Sequence, residues 1–299
     1  MSDVCAVVVT YDALPWVERC LESVRGCPTV VVDHGSSDGT LELVRERFPD
    51  VRLVEQENRG VGAGWNRGMR EAPGDARWFL VLNSDAWVLD GSVDALVAFG
   101  DEQPDTAVVG PRLLNPDGTL QRSVRGFPTL WRLATEFLFL RKLAPRSEAL
   151  NAFYAGPFDH DRVSEAEWVT GACMLVRRSA VDEVGGLDED FFMFNEESDW
   201  QYRLRAAGWR VLFFPGADVV HVGGGSTRRE WGRMFEEQVM SHLRFLHKHR
   251  GPREAERARR LLVLSLRLRA LAFRGERGRT YRDAARRLGS GPVEALLAR

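Results

Sequence analysis

Short apolar segments alternate with helical stripes through the first part of the chain, and this alternation constrains the fold more than any other feature. The segments predicted to be strands are Ala6–Thr10, Thr29–Asp33, Val51–Val54 and Trp78–Leu82. Between them, apolar residues recur at helical spacing in Pro15–Val24, at Leu41, Val44 and Phe48, and up to Met69. Strands and helices in regular succession predict an α/β fold, a Rossmann-like, mostly parallel sheet with helices on both faces.

The composition indicates a soluble globular protein and argues against nucleic acid as a partner. Of the 299 residues, 44% are hydrophobic and 28% are charged, which is enough for a sizeable core. The formal net charge of −2 gives no overall basic field. No basic leader and no apolar window of roughly 18 residues is found, so we expect a cytoplasmic protein. Four cysteines without C-x-x-C spacing predict reduced, buried thiols.

The C-terminal segment has a different character. From Gly251 onward there are 13 arginines and 5 acidic residues, about +8, which leaves about −10 on residues 1–250. Ala258–Phe273 is apolar nearly all round but interrupted by Arg267 and Arg269, so it is too arginine-rich and short to span a bilayer. We predict a basic helical extension, residues 251–299, that packs on the main domain or on a second subunit. The alternative is an interfacial helix at anionic lipid, peripheral at the inner face of a membrane.

Two predicted strands end on a carboxylate, Asp33 and Asp85. Ligands bind at the carboxyl ends of strands in open α/β sheets. Asp85 follows the buried run "WFLVLN" and has no basic residue within several positions, so it either caps a turn or holds something positive. Asp33 could accept a hydrogen bond from a ring N–H, which uracil and thymine offer at N3 and cytosine does not. The alternative is a turn or cap residue.

The glycine-rich segment "NRGVGAGWNRG", residues 58–68, suggests a phosphate-binding backbone. Its glycines do not follow G-x-G-x-x-G spacing, and the first strand–helix turn, "TYDALPW", contains no glycine. We expect this backbone to wrap around a diphosphate-linked ligand that Arg59 or Arg67 reaches. A simple glycine-rich turn is the alternative.

Three acids, Glu196, Glu197 and Asp199, stand at the start of a predicted helix behind the aromatic run "FFMF". The helix dipole alone would favour acids there. Burial and mutual repulsion would also raise at least one pKa, which a general base requires. Farther on, His221 ends an apolar strand and, paired with Asp85, is a candidate metal ligand.

Taken together and in this order, the motifs resemble the inverting glycosyltransferases of family 2, which have the GT-A fold. The resemblance covers roughly residues 4–230. It rests on the segments "VVVTYD", "VVVDHGSSDGT", "NRGVGAGWNRG", "LNSDA", "TGACMLVRR", "GGLDEDFFMFNEESDWQYRLRAAGW" and "HVGGGS". The segment "PRLLNPDGTLQRSVRGFPTLWR" further resembles the rhamnosyltransferase-like branch of that family.

The resemblance implies roles for individual residues. Thr10, Tyr11 and Asp33 would bind the nucleoside, with Tyr11 near the base. Asn83, Ser84 and Asp85 stand on the D-x-D motif that binds a divalent metal, Mg²⁺ or Mn²⁺, and the donor diphosphate, although Asn83 replaces its first aspartate. His221 matches the late metal-binding histidine, and Glu197 matches the second acid of the "ED" pair that acts as base. Glu196 and Asp199 are the alternative bases. The remaining expected donor contacts are Asn58, Arg59, Gly62 and Asn66.

The implied activity is transfer of a sugar from a dTDP- or UDP-sugar to a hydroxyl. The resemblance to the rhamnosyltransferase-like branch favours rhamnose as that sugar. A lipid-linked glycan in polysaccharide biosynthesis and a small aglycone both fit as acceptor. Residues 1–250 would form the GT-A domain, with a nucleotide-binding half at 1–110 and an acceptor-binding half at 111–250. A sugar-phosphate nucleotidyltransferase is one alternative, but it would need a glycine-rich basic loop in place of "TYDALPW". A non-catalytic scaffold protein in a glycan-assembly complex is the other.

Overall fold

The computed structural model describes residues 3–144, 146–154, 158, 160–224 and 231–298. Its internal contacts divide the chain into two compact units. The first unit comprises residues 1–125, 159–192 and 196–229, and the second comprises residues 126–158, 193–195 and 230–299. The domain boundary expected at residue 250 therefore falls inside the second unit, because the C-terminal helices cluster with residues 126–158. The expected limit between halves at residue 110 falls inside the first unit.

All strands of the described residues belong to the first unit. They are β1 Val4–Thr10, β2 Thr29–Asp33, β3 Arg52–Glu55, β4 Trp78–Asn83, β5 Ala86–Val88, β6 Thr106–Leu114, β7 Leu120–Gln121, β8 Val124–Arg125, β9 Ser164–Glu165, β10 Trp168–Val169, β11 Cys173–Arg177 and β12 Arg210–His221.

Each helix belongs to one of the two units. The first unit contains α1 Val17–Ser23, α2 Thr40–Arg47, α3 Val61–Glu71 and α4 Ser92–Asp101, and the second begins with α5 Leu130–Phe137. The first unit adds α6 Arg178–Val184 and α7 Glu196–Ala206. The second adds α8 Trp231–Arg250, α9 Pro252–Ala272, α10 Gly275–Gly289 and α11 Val293–Leu297, with short 3-10 turns at Leu140–Lys142 and Ala152–Tyr154.

The main sheet has the strand order β3-β2-β1-β4-β11-β6-β12-β5, with β7 on β6 and β9 on β12. The pairs β3–β2, β2–β1 and β1–β4 are parallel, as are β6 and β12. Strand β11 lies antiparallel between β4 and β6. The predicted fold class is confirmed: a mixed, mostly parallel central sheet is flanked by helices. Four of the parallel strands, β1 to β4, are those that the apolar segments predicted.

Side chains of β1 alternate between two helical layers. Val4, Ala6 and Val8 join the core that α1, α2 and α4 complete. On the other face, Val7 and Val9 lie under α3. A Cβ on Gly68 would stand 2.3 Å from Val7 Cγ1, and one on Gly64 would stand 2.6 Å from Val9 Cγ2.

These distances give a packing reason for the glycines of segment 58–68. Its glycines allow α3 to approach the sheet more closely than any side chain would permit. Gly60 has the same kind of role toward another segment, because a Cβ there would lie 2.3 Å from the carbonyl oxygen of Phe192. Close packing therefore accounts for glycine at positions 60, 64 and 68.

The second unit is helical around its own core. Buried residues of α9 recur at Ala255, Ala258, Leu262 and Leu266, the spacing of one helix face. This face packs with α5, α8, α10 and α11, so the expected packing of the apolar C-terminal segment occurs within the second unit. In the described part of the chain, no helix is long and apolar enough to cross a membrane.

Candidate functional site

The carboxyl ends of β1, β2 and β4 meet at one edge of the sheet. Thr10 stands opposite Asp33, and Val9 stands opposite Asn83. Beyond β4, the Asp85 carbonyl accepts a hydrogen bond of 3.0 Å from the amide of Val222. The sheet therefore gathers the polar residues of the three motifs at the edge where α/β proteins bind ligands.

The loop after β1 is locked to the loop after β2. The Asp12 amide donates to Ser36 Oγ at 2.9 Å, and the Ser37 amide donates to Asp12 Oδ1 at 2.8 Å. The Ala13 amide donates to Thr40 Oγ1 at 2.9 Å. Tyr11 stands at the start of this double loop with 42% of its surface exposed. The loops thus form a preorganised shelf that leaves one aromatic ring accessible.

Asp33 organises this shelf. Its Oδ1 accepts from the amides of Gly35 and Ser36 at 2.9 and 2.8 Å. Its Oδ2 accepts from the hydroxyls of Thr10 and Ser36 at 2.7 and 2.6 Å. Asp33 is completely buried, and four donors occupy its two oxygens. A base N3–H could reach this carboxylate only if a hydroxyl turned away.

Segment 58–66 is tied to the segment around Leu187. Asn66 Oδ1 accepts from the Leu187 amide at 2.8 Å, and its Nδ2 donates to the Leu187 carbonyl at 2.9 Å. Arg59 pairs with Glu189 at 2.9 Å. The Asn58 side chain accepts from the Gly60 amide at 3.1 Å.

These contacts change the expected donor-binding roles. The Asn66 amide clamps Leu187, so this side chain has a structural role. A Cβ on Gly62 would lie 3.4 Å from Leu187 Cβ, ordinary packing distance, so Gly62 also belongs to this junction. Arg59 is exposed and keeps freedom to leave its ion pair, since surface pairs of this kind contribute roughly 0–1 kcal/mol.

Asp85 and His221 form a close pair. Asp85 Oδ1 lies 3.3 Å from His221 Nε2, and each side chain is about 15% exposed. The backbone brings them together, because His221 pairs with Ala86 where β12 meets β5. The predicted metal ligands are therefore neighbours in the fold although they are far apart in the sequence.

The amide of Gln121 orients His221. Gln121 Nε2 donates to Asn115 Oδ1 at 2.9 Å and to the His221 carbonyl at 3.1 Å, which turns Gln121 Oε1 toward His221 Nδ1 at 2.6 Å. By this network Nδ1 carries a hydrogen, and Nε2 is left to face Asp85. A carboxylate oxygen and a ring nitrogen 3.3 Å apart are placed to bind one divalent cation together.

This donor set fits a hard divalent cation that completes its shell elsewhere. Mg²⁺ is commonly held by one or two protein groups together with substrate phosphates. Within residues 3–298 as far as they are described, no group of three or more His, Cys, Asp or Glu side chains is arranged to hold a metal. Asp85 and His221 would therefore act together with a ligand's phosphate oxygens, with Asn83 adding no charge.

Glu197 lies next to the same edge. Its Oε1 is 3.4 Å from the amide of Gly171, and the next residue, Ala172, accepts the amide of Asn83 at 3.0 Å. Its Oε2 is buried without a hydrogen-bond partner in the described part of the chain. Burial raises the pKa of Glu197, opposed by backbone N–H groups and by the positive charge of Arg125. A partly buried carboxyl group with a raised pKa and an uncommitted oxygen is suited to accept a proton.

The other two acids have different surroundings. Asp199 is fully buried and pairs with Arg203 at 2.9 Å, and Arg203 also donates to the Gly186 carbonyl at 2.6 Å. Glu196 packs against α3, with its Cβ 3.6 Å from where a Gly62 Cβ would stand. Burial, and then the charge of Glu197, raise the pKa of Glu196 well above its usual value. Helix geometry thus separates Glu197 from the other two acids, which face α3 and the 186–187 segment.

The irregular middle of the chain supplies two residues that the sequence did not reveal, Gln121 and Arg125. Strand β7 pairs with β6, and β8 pairs with β10, which holds this stretch in place. His160 Nε2 accepts the amides of Ser123 and Val124, each at 3.2 Å. The polar alternation in "TLQRSVR" was the available signal, although it lies in a stretch without clear periodicity. Of the late motif "HVGGGS", Gly225 and Ser226 lie outside the described residues.

Comparison with known proteins agrees with this arrangement. The family model described as "Glycosyl transferase family 2" matches residues 5–185. An N-acetylglucosaminyl-diphospho-decaprenol L-rhamnosyltransferase of Mycobacterium tuberculosis is 35% identical over 268 residues, covering 83% of each chain. Rhamnosyltransferase WbbL of Escherichia coli is 30% identical over 129 residues, covering 43% of this chain and 45% of the relative.

Among solved structures, the mannosyltransferase PcManGT of Pyrobaculum calidifontis, in complex with GDP-Man and Mn²⁺, aligns with a TM-score of 0.54 and 19% identity. The alignment covers 99% of this chain and 78% of that one. At this identity the likeness shows the fold alone, and it agrees with the GT-A class. The family match extends over more than half of the chain, from β1 past α6, and includes Asp33 and Asp85. The chain therefore belongs to glycosyl transferase family 2, and it resembles the rhamnosyltransferases of that family.

Proposed function

We propose that this protein is an inverting, metal-dependent glycosyltransferase that moves a hexose, rhamnose in the first instance, from a dTDP- or UDP-sugar to a hydroxyl of a lipid-linked glycan. The similarity to the mycobacterial rhamnosyltransferase, whose printed name includes a decaprenol-linked sugar, supports the sugar and the acceptor class. A small aglycone is the competing acceptor.

One observation carries the proposal. Glu197, partly buried and with an uncommitted oxygen, is connected through Gly171 and Ala172 to Asn83 at the strand end that leads into Asp85. A proton acceptor and a candidate diphosphate site therefore belong to one continuous edge. Transfer of a glycosyl group needs both, a base for the attacking hydroxyl and a site that receives the departing nucleotide.

The residues of this chain would have the following roles in proton transfer and donor binding. Glu197 takes the proton of the acceptor hydroxyl as its oxygen attacks the anomeric carbon opposite the nucleotide. The bond from that carbon to the diphosphate oxygen breaks, its electron pair leaves with the nucleoside diphosphate, and the anomeric configuration inverts. The shelf around Tyr11 and Asp33 holds the nucleoside. Arg59, exposed beside Glu189, is available to the diphosphate, whereas Arg67 pairs with Glu71.

Asp85 and His221 would hold the metal ion, with His221 kept in orientation by Gln121. A bound Mg²⁺ or Mn²⁺ supplies Lewis-acid stabilisation of the negative charge that develops on the leaving diphosphate. The solved structure of PcManGT with GDP-Man and Mn²⁺ supports such a site by analogy of fold.

The donor is tested by thermal shift with UDP, dTDP, CDP and ADP, each with Mn²⁺ and with EDTA. A ligand that binds only the folded protein raises its melting temperature by mass action. We expect UDP and dTDP to protect far better than CDP or ADP, because only their bases offer N3–H between two carbonyls. Equal protection by all four nucleotides would remove base recognition through Asp33 from the proposal.

The reaction is tested by NMR with dTDP-rhamnose and a short-chain diphospho-prenol-linked GlcNAc as acceptor, with a glycosylatable aglycone in parallel. Product of inverted configuration, formed only with metal, is the expected result. Donor binding with neither transfer nor hydrolysis, across several sugars and both acceptor classes, would favour the scaffold alternative.

A further inference from the structure

The C-terminal half of α9 presents a row of leucines to the outside. Leu264, Leu268 and Leu271 are 54%, 51% and 83% exposed. Their spacing of four and three residues places them on one face of the helix. Leu266, between them in the sequence, and Leu262, just before them, are buried in the core of the second unit. We call Leu264, Leu268 and Leu271 the leucine row.

Phe273, just after the end of α9, is 37% exposed, and its ring lies 5.6 Å from that of Tyr281. Single exposed apolar residues are common on soluble proteins, but several aligned on one helix face mark a surface that contacts something apolar. Burying these side chains would be favourable at about 25 cal per mole for each Å² removed from water. An apolar partner surface is therefore expected here.

Positive charge surrounds the leucine row. Residues 267–282 contain six arginines and one acidic residue, Glu276. The exposed arginines of this stretch are Arg267, Arg274, Arg277, Arg279 and Arg282. Toward the start of α9, the same outward face carries Arg253, Arg257 and Arg260, also exposed. The surface is thus an apolar row enclosed by a strongly cationic rim.

This charge decides between occupants. A second copy presenting the same surface would bring two cationic rims together, which is repulsive at close range. An anionic bilayer complements both parts, because lipid headgroups attract arginine and the acyl boundary accepts leucine without a shaped pocket. An acidic protein would need a matching apolar groove. The choice of a bilayer rests in part on the proposed function, since a lipid-linked acceptor is presented at a membrane.

We propose that the leucine row and Phe273 dock the protein on an anionic lipid bilayer, with Arg267 and Arg274 at the headgroups. The contact is peripheral, because α9 buries its opposite face in the protein core.

Vesicle flotation tests this without donor or acceptor. Vesicles of phosphatidylglycerol and phosphatidylcholine should bind the full-length protein, vesicles of phosphatidylcholine alone should bind it weakly, and high salt should weaken the binding. Leu264→Ser/Leu268→Ser/Leu271→Ser should reduce the partition coefficient about tenfold or more, since each buried leucine adds to binding. Val163→Ser, an apolar residue of the first unit with 48% exposure, is the matched control and should bind as the parent protein does.

Failure of the parent protein to bind anionic vesicles, or equal binding by the triple variant, would overturn the proposal. So would loss of a stable dimer in the triple variant by light scattering, which would assign the row to a second copy. Leu271→Ser, at the most exposed of the three positions, replaces the triple variant if the latter is misfolded by circular dichroism. Transfer to a water-soluble acceptor should be retained in either variant. Its absence in the parent protein would count against the proposed function alone.

Discussion

Gln121 Oε1 lies 2.6 Å from His221 Nδ1, so the amide of one residue determines which ring nitrogen of the other faces Asp85. The amide itself is held by Asn115 and by the His221 carbonyl. A neighbour of this kind usually contributes to metal affinity by fixing the tautomer and ring orientation of a histidine ligand.

We therefore expect Gln121→Met to weaken Mn²⁺ binding about 10- to 100-fold while the fold is retained, because methionine fills similar space without accepting from Nδ1. Mn²⁺ electron paramagnetic resonance titration with nucleotide present measures this. Gln121→Glu keeps an acceptor and should restore part of the affinity. Gln103→Met, outside the site, is the control. Unchanged Mn²⁺ affinity in Gln121→Met would show that His221 needs no such partner or is not a ligand.

Glu197→Gln should reduce turnover about 10²- to 10⁴-fold with donor affinity unchanged, since the amide keeps shape but accepts no proton. Glu196→Gln should retain much more activity, because Glu196 faces α3. Initial rates and donor titration separate the two effects. If Glu196→Gln is inactive with donor bound while Glu197→Gln is nearly normal, the two roles are exchanged.

The same carboxyl group sets the expected pH dependence of transfer. Burial raises the pKa of Glu197 above its usual 4.5, so the unprotonated base becomes available only as pH rises through that higher value. The rate should therefore increase with pH along an acid limb whose midpoint lies above 4.5. A profile of kcat/KM against pH reports this pKa in the free enzyme. A rate that stays flat down to pH 4.5 would contradict the assignment.

The sequence predicted the parallel half of the sheet well because its strands are continuous apolar runs between turn residues. The strand-end residues Asp33 and Asp85 were found for the same reason. Helix periodicity alone also separates Glu197 from Glu196 and Asp199. Contacts between side chains that are distant in the sequence could not be predicted from local patterns. Asn66 clamps Leu187, 121 positions away, through its side-chain amide, and nothing local in the sequence indicates this.

The middle of the chain was the least predictable part. The strands β7 and β8 have only two residues each, too few to show an alternation of apolar and polar residues. Gln121 was therefore not recognised as a neighbour of His221, nor Arg125 as a neighbour of Glu197. The domain boundary was placed at residue 250 because the charge changes there. Packing instead joins α5 to the C-terminal helices through a shared apolar core. The distribution of charge along the sequence gives no information about that core.

His242 should make the second unit sensitive to acid. Burial lowers the pKa of His242 from 6.5 to about 4, and its Nδ1 lies 3.0 Å from Asn195 Nδ2. The unfolded chain binds this proton below pH 6.5 and the folded chain does so only near pH 4. Stability is therefore full above pH 6.5 and is lost as pH falls toward 4, by up to about 3 kcal/mol.

Urea unfolding at pH 7.5 and pH 5 measures this effect, with His242→Gln as the variant that cannot titrate. The parent protein should lose more stability between the two pH values than the variant does. Glu196 and Glu197, whose raised pKa values act in the opposite direction, are common to both proteins and cancel in the comparison. Equal losses would show that His242 is protonated without cost in the folded state.

Gly68→Ala should destabilise the first unit even though alanine is the better helix former. Alanine in a helix interior is favoured over glycine by about 1 kcal/mol. At Gly68, however, the added Cβ would stand 2.3 Å from Val7 Cγ1, and β1 is a central strand that cannot move aside. Overpacking of this kind costs about 1–3 kcal/mol, so it should exceed the gain in helix propensity.

Gly289→Ala is the control, because its Cβ would meet nothing closer than the Arg267 guanidinium at 4.0 Å. Urea unfolding should show a lower free energy of unfolding for Gly68→Ala and an equal or higher one for Gly289→Ala. A Gly68→Ala protein as stable as its parent would mean that α3 is not held against β1 as closely as the structure has it.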